Sequence, residues 1–138
     1  MTTITIDTDG ARTAIDVTDR VVAAAPALEE GLLLVTCPHT SAAIFLCEAD
    51  DELLEDFADF SEKWLAQFEP FKHTRNDNPN AAAHITSAVF GGQVLVLVKD
   101  GRPVLGTYQR LVFLELDGPK QRHVDVVGIG VALQGTVA

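Results

Sequence analysis

Residues 93–133 read QVLVLVKDGRPVLGTYQRLVFLELDGPKQRHVDVVGIGVAL, and they carry the strongest signal for the architecture. Three runs rich in Val, Leu and Ile stand in this stretch, at 93–98, 110–116 and 122–133, with no helical period between them. Asp100-Gly101 followed by 103–108 predicts a hairpin with a tight turn. Asp117-Gly118-Pro119 marks a second turn. In 122–133 the alternation sets His123, Asp125 and Gly128 outward, with Val124, Val126 and Ile129 inward. Period two also puts Glu115 on one face with Leu111 and Phe113, so this carboxylate is open to burial and then needs a partner.

Upstream, residues 2–7 (TTITID) and 12–17 (RTAIDV) are β-prone and flank Asp9-Gly10, which predicts another hairpin. Thr18 reads as the N-cap of a short helix running to Ala25 and stopped by Pro26. The apolar run 31–37 suits a central strand, and 42–47 a further one. The clearest helix covers about 51–68. Leu53, Leu54, Phe57, Phe60, Trp64, Leu65 and Phe68 share one face, Asp50 is the N-cap, and acids crowd the first turns. A second helix is expected over 79–90, capped by Asn78, with Pro79 in its first turn and Gly91-Gly92 at its end. Ala81, Ile85, Ala88 and Val89 would form its slim packing face. Strands in runs, without strict βαβ alternation, indicate an α+β chain. The expected fold is one compact domain over 1–138, with a mixed, mostly antiparallel sheet or sandwich of seven or eight strands and two to three helices.

A chain of 138 residues, 47% of them hydrophobic, is long enough to bury a core without metal or disulfide staples. No apolar run reaches the length of a membrane span. MTTITIDTDG has neither a basic start nor an apolar stretch with a small-residue cleavage site, so the expected location is cytoplasmic. The formal charge of −10 argues against nucleic acid and against anionic membrane surfaces as partners. The balance is uneven. Residues 1–98 carry sixteen acids and five bases, a net of −11, and residues 99–138 carry four acids and five bases, a net of +1. A small anionic substrate would meet the C-terminal third. Cys37 and Cys47 match neither a CxxC redox pair nor a zinc ribbon, and read as buried free thiols.

Four segments carry groups suited to chemistry. The first is Pro38-His39-Thr40-Ser41, followed by Glu48 and Asp50. His39 can act as base, acid or metal ligand near neutral pH, and Thr40 and Ser41 offer hydroxyls to a phosphate. The plain alternative is a polar turn with a surface histidine. The second is Asp77, Asn78, Asn80 and His84, where a helix N-terminus offers free N–H groups to an anion and Asn80 and His84 share a face. Its plain alternative is a capping Asn and a hydrogen-bonded histidine. The third, Gly106-Thr107-Tyr108-Gln109, offers an aromatic face and an amide to a ring, or is a strand-end turn. The fourth runs from Glu115 to Arg122, where Lys120 and Arg122 offer charge to a phosphate, or is a solvated turn. Gly128-Ile129-Gly130 lacks the third glycine of a dinucleotide fingerprint. The acids from Glu48 to Glu62 read as a solvated helix face. His73 and His123 have no partner at ligand spacing.

Taken together, the order and spacing of PHTS with Glu48 and Asp50, Asn80-Ala81 with His84, Gly101 leading to Gly106-Thr107-Tyr108-Gln109, and Glu115-Leu116-Asp117-Gly118-Pro119 with Lys120 and Arg122 resemble the YjbQ family, also called UPF0047, of secondary thiamine-phosphate synthases. The resemblance spans about residues 12–130. It implies a compact α+β trimer that makes thiamine phosphate weakly from hydroxymethylpyrimidine diphosphate and a thiazole phosphate. It also implies a pocket lined by His39, Ser41, Glu48, Asn80, His84, Thr107, Gln109, Glu115 and Arg122. The chain departs from the family's usual residues at Tyr108 (usually Trp), Cys47 (Asn), Pro79 (Gly) and Lys120 (Arg).

The enzyme reading follows. His39, Glu48 and His84 would transfer protons, or His39 and His84 would bind a divalent ion, Mg or Zn. Lys120, Arg122 and the N-terminus of helix 79–90 would hold phosphate, with Tyr108 and Gln109 on a ring. The alternatives are a metal-dependent hydrolase or other phosphate-ester enzyme, and a trimeric module that binds a small anion or metal without turnover. The expected partners are a small phosphorylated substrate and two further copies of the chain.

Overall fold

The computed structural model describes residues 1–74 and 79–132. In chain order the elements are β1 Thr2–Asp7, β2 Thr13–Asp16, α1 Thr18–Ala24, β3 Leu28–Thr36, β4 Ala42–Cys47, α2 Asp51–Ala66, α3 Ala81–Phe90, β5 Gln93–Lys99, β6 Arg102–Pro103, β7 Arg110–Glu115 and β8 Gln121–Ala132. They build the α+β architecture expected from the strand runs. One sheet has the order β1-β8-β3-β5-β6 and the other β2-β7-β4, and every ladder is antiparallel. Ile6, Leu33, Val35, Ile44, Phe113, Val124 and Val126 pack into the core between the sheets. Ala43, Leu114 and Leu116 pack on the other side of the smaller sheet against Ala83, Phe57 and Phe90 of α3 and α2. The smaller sheet is therefore covered on both faces. This explains why β7 reads as a continuous apolar run and not as an alternation.

Several elements fall as the sequence predicts. β3 is central in its sheet. Asp50 caps α2, accepting from Leu53 N–H at 2.8 Å. Asp100 and Gly101, with φ of 52° and 77°, make the two-residue turn joining β5 to β6.

Others differ. β1 and β2 form no hairpin: β1 pairs with β8 and β2 with β7. The chain changes sheet between them, where Thr8 is buried and its N–H donates to Lys120 O at 2.9 Å. Thr18 is the first residue of α1, not its cap. Its N–H and hydroxyl both donate to Asp16 Oδ1, at 3.0 and 2.6 Å. The strand expected over 103–108 stops at Pro103. A turn follows in which Gly106 N–H donates to Gln109 Oε1 at 2.8 Å and Gln109 N–H donates to Gly106 O at 3.1 Å.

In β8 the alternation runs on unbroken past Val126, which reverses the sides expected for Gly128 and Ile129. Gly128 faces Pro26 and Leu28, whose side chains would lie 2.3 and 3.0 Å from an added Cβ, and Ile129 is 53% exposed. The helix expected from residue 79 starts at Ala81. It buries Ala81, Ala83, Thr86 and Ser87 and leaves Ile85, Ala88 and Val89 exposed, because small residues let β4 come close. The cap assigned to Asn78, and Asp77 beside it, lie outside the described residues.

Candidate functional site

The site is built at the end of the sandwich where β4 begins and β7 ends. Glu115 is fully buried on the inter-sheet face and Arg122 opposite it is 6% exposed. Arg122 Nε donates to Glu115 Oε1 at 2.8 Å and Nη2 to Oε2 at 2.6 Å. Nη2 also lies 2.8 Å from Ser41 Oγ and 3.1 Å from Ser41 O, both acceptors. The Thr8 hydroxyl and the N–H groups of Leu116 and Asp117 complete the carboxylate's partners at 2.8, 3.0 and 3.1 Å. Burial would raise the Glu115 pKa, but the donors from Arg122, Thr8 and Asp117 outweigh it and hold it below the ordinary carboxylate value. This pair fixes the PHTS turn to β7 and β8. Its guanidinium nitrogens Nε and Nη2 are engaged inside the protein, so Arg122 positions the turn and Lys120 is the cation at the rim.

His39 follows on this turn. Its Nε2 lies 3.1 Å from His123 O, to which it donates in one tautomer, and 3.0 Å from His123 N–H, from which it accepts in the other, and the two rings meet edge to face with centroids 4.8 Å apart. Burial, the Arg122 charge and His123 lower its pKa, so the imidazole is neutral at neutral pH. Across the turn, His84 Nδ1 donates to Thr40 O at 2.7 Å. That bond orients the ring and leaves Nε2 as the free lone pair. His73 packs edge to face on His84, centroids 5.3 Å apart. His39, Thr40, His84, Ser87, Gly91 and Gly92 line an open pocket of about 570 Å³, a size suited to a small metabolite.

Beside it, Asp117 Oδ2 accepts from Asn80 Nδ2 and from Lys120 Nζ, both at 3.1 Å. Asn80 is the N-cap of α3 but makes no side-chain cap bond.

One end of the smaller sheet thus brings together His39, Thr40, Ser41, Asn80, His84, Glu115, Lys120 and Arg122. The other predicted residues lie elsewhere. Cys47 pairs with Arg110 at the far end of the β4–β7 ladder, where Glu48 follows one strand and Thr107, Tyr108 and Gln109 precede the other. Five strand steps from Ala42 to Cys47 separate the two ends by roughly 16 Å. All four of these far-end residues are exposed.

Among the described residues no three His, Cys, Asp or Glu groups are placed to hold a metal ion. The pocket lining of one chain holds two imidazoles, His39 and His84, fewer than the three protein ligands of a catalytic zinc. Burial pushes the Cys37 thiol up to about 11, which suits an inert core thiol.

Thr8, Ser87 and His123 were missed by the sequence reading. The outward alternation of His123 on β8 was the one available signal.

The model of the UPF0047 protein YjbQ-like family matches residues 2–131. The chain belongs to the YjbQ family. A UPF0047 protein of Archaeoglobus fulgidus is 43% identical over 112 residues, 81% of this chain and 87% of that protein. The UPF0047 protein YugU of Bacillus subtilis is 35% identical, over 87% of this chain and 92% of its own length. Among solved structures, that of the hypothetical protein APE1520 from Aeropyrum pernix K1 superposes with a TM-score of 0.85 at 35% identity, covering 93% of this chain and 96% of that one. A YjbQ/UPF0047 protein of Clostridium acetobutylicum gives 0.84 at 30% identity, covering 94% and 100%. No helix among the described residues of this YjbQ chain is long and apolar enough to cross a membrane.

Proposed function

We propose that the chain is a secondary thiamine-phosphate synthase-like enzyme acting on a small phosphorylated substrate. In the reaction the bond from the pyrimidine methylene to diphosphate oxygen breaks, and the thiazole nitrogen bonds to that carbon. The demand is for positioning and for stabilising separated charge. The observation that carries the reading is His84, tied through Nδ1 to Thr40 O at 2.7 Å, with Nε2 free beside a pocket shared with His39.

With its Nε2–H donated to His123 O at 3.1 Å, a neutral His39 keeps Nδ1 as the lone pair that can accept a proton; Lys120 and the N-terminus of α3 neutralise phosphate, and Arg122 holds Ser41 in place. A divalent ion, Mg or Zn, would be held by His39 and His84 and would supply positive charge against the leaving diphosphate. Two imidazoles from one chain do not complete a site for it, so no step here runs through it.

A homotrimer belongs to this reading. It is supported by the outer face of the larger sheet, where Leu95, Leu97, Ile129 and Val131 are 59, 53, 53 and 65% exposed. A patch of this kind marks an interaction surface.

One observation favours the module that binds without turnover: Glu48 lies at the far end of β4, away from both histidines. The test is thiamine phosphate formation from the two purified precursors by wild type and His84→Ala, with and without added divalent ions. Turnover that needs His84 supports the enzyme. Turnover no higher than that of His84→Ala would sink the synthase and leave the binding module.

A further inference from the structure

Resting on the trimer proposed above, we infer that the histidine pocket is composite: the next copy of the chain closes it with Tyr108, Gln109 and Glu48. Among the described residues the pocket is open, with Ala88, Gly91 and Gly92 as its far lining. His84 and His39 are both anchored by backbone groups, and among the described residues no third His, Cys, Asp or Glu joins them as a metal-holding group. Its rim runs onto Ala88, and Ile85 and Val89 beside it on α3 are 41 and 58% exposed. This is an apolar strip that a monomer leaves in water.

The far end of the molecule carries a complementary feature. Two hydrogen bonds within Gly106–Gln109 fix a turn that presents Tyr108, 72% exposed, beside Val104, 48% exposed. A tyrosine held out by a built turn is an aromatic anchor without a socket. Glu48 stands at the same end of the ladder. The separation along β4 rules out a meeting within one chain.

Charge selects the head-to-tail arrangement. Lys99 and Arg102 flank the β5–β6 turn, are exposed and enter none of the ion pairs among the described residues. α2, packed beside α3, exposes Asp56, Asp59 and Glu62. A two-fold contact through α2 would set acid against acid. A head-to-tail contact sets the basic hairpin of one copy toward the acidic helix of the next, and such contacts close into rings when the rotation permits. The composite pocket would offer a planar heteroaromatic ring the face of Tyr108 and the free amide N–H₂ of Gln109, with the neighbour's Glu48 turned toward His39 and His84.

Tyr108 is the sole tyrosine of the chain, so 3-fluorotyrosine labels it alone. Labelled wild-type chains are co-assembled with an excess of unlabelled His84→Ala chains, and trimers are selected by light scattering. The labelled chain keeps its own His84, so a change in the fluorine resonance relative to the all-wild-type trimer reports the neighbour's histidine. A resolved shift is expected. His84→Gln, closer in size, serves if the alanine variant folds poorly. A trimer whose resonance is unchanged with either variant overturns the composite pocket while leaving the trimer and the synthase reading standing. A monomer overturns the trimer and the composite pocket together. Loss of the synthase reading would be seen in the turnover assay, which this readout does not depend on.

Discussion

At the scale of single residues, the Glu115–Arg122 pair controls the site. Both groups are nearly inaccessible, and each is satisfied mainly by the other. Removing one partner strands a charge in the core. Glu115→Gln is expected to lower stability by about 3–5 kcal/mol, whereas Glu115→Leu with Arg122→Met should recover much of that loss. Urea unfolding of Glu115→Leu, Arg122→Met and the double variant checks this, and losses that simply add would contradict it. The pH dependence has a defined sign. Glu115 has a lowered pKa, so its contribution is complete above the ordinary carboxylate value and is lost as pH falls toward its depressed value. His39 is also lowered, so the unfolded chain binds its proton more readily, and stability drops as pH falls below the ordinary histidine value of about 6.5. Melting temperature should therefore fall in two stages on acidification, and His39→Gln should remove the first. A first stage that persists in that variant would assign it to another group. The Glu115 half of this arrangement was legible in the sequence, because period two placed it with Leu111 and Phe113 and a buried carboxylate needs a cation. That Arg122 would be the cation was not, since the contact joins two sheets across the turn at 116–120.

Elements were legible where local chemistry fixes them and obscure where distant contacts do. α2 carries its own cap, its acidic first turn and a helical apolar face, and it forms where expected. Asp50→Ala should cost about 1 kcal/mol of stability, read as an earlier urea midpoint with an unchanged slope. An unchanged midpoint would show that the cap bond contributes nothing. β1 and β2 each look like half of a hairpin, but their partners lie about a hundred residues away, as in Thr2 with Val126 and Thr13 with Glu115. Local alternation cannot distinguish those pairings. In α3 the apolar side chains Ile85 and Val89 point out, while Ser87 donates to Ala42 O at 2.6 Å across a close helix–strand contact. Packing selected small residues over apolar ones. Gly128 shows the same competition in β8, where Pro26 and Leu28 fill the space a side chain would need. Gly128→Ala should destabilise by about 1–3 kcal/mol through overpacking. A variant as stable as wild type would mean that the loop at Pro26 moves aside freely.

Across the whole molecule, the candidate residues are legible as types but not as one place. The smaller sheet holds eight of them at one end and four at the other, and nothing in the linear order of four motifs announces that division. The same layering accounts for the surface. The smaller sheet is covered by the larger sheet on one side and by α2 and α3 on the other, which leaves the outer face of the larger sheet without a layer among the described residues. Leu95 and Leu97 on β5 stand beside Ile129 and Val131 of β8 across β3, because Leu32 is paired with both Leu97 and Ile129. These side chains contribute little to the fold of a single chain, since each is more than half exposed. A charge placed among them should therefore break assembly and spare folding. Leu97→Glu, in a chain already at −10, adds a carboxylate that an apolar contact between copies would have to desolvate without a partner. The expected result is a particle mass that falls from that of a trimer to that of one 14.8 kDa chain, with circular dichroism and melting midpoint of the monomer retained. If the mass stays at the trimer value, the outer face is not the contact. Assembly would then have to run through the exposed strip of α3 and the Tyr108 turn alone, a smaller surface whose weakening by Arg102→Glu should ease as salt is raised.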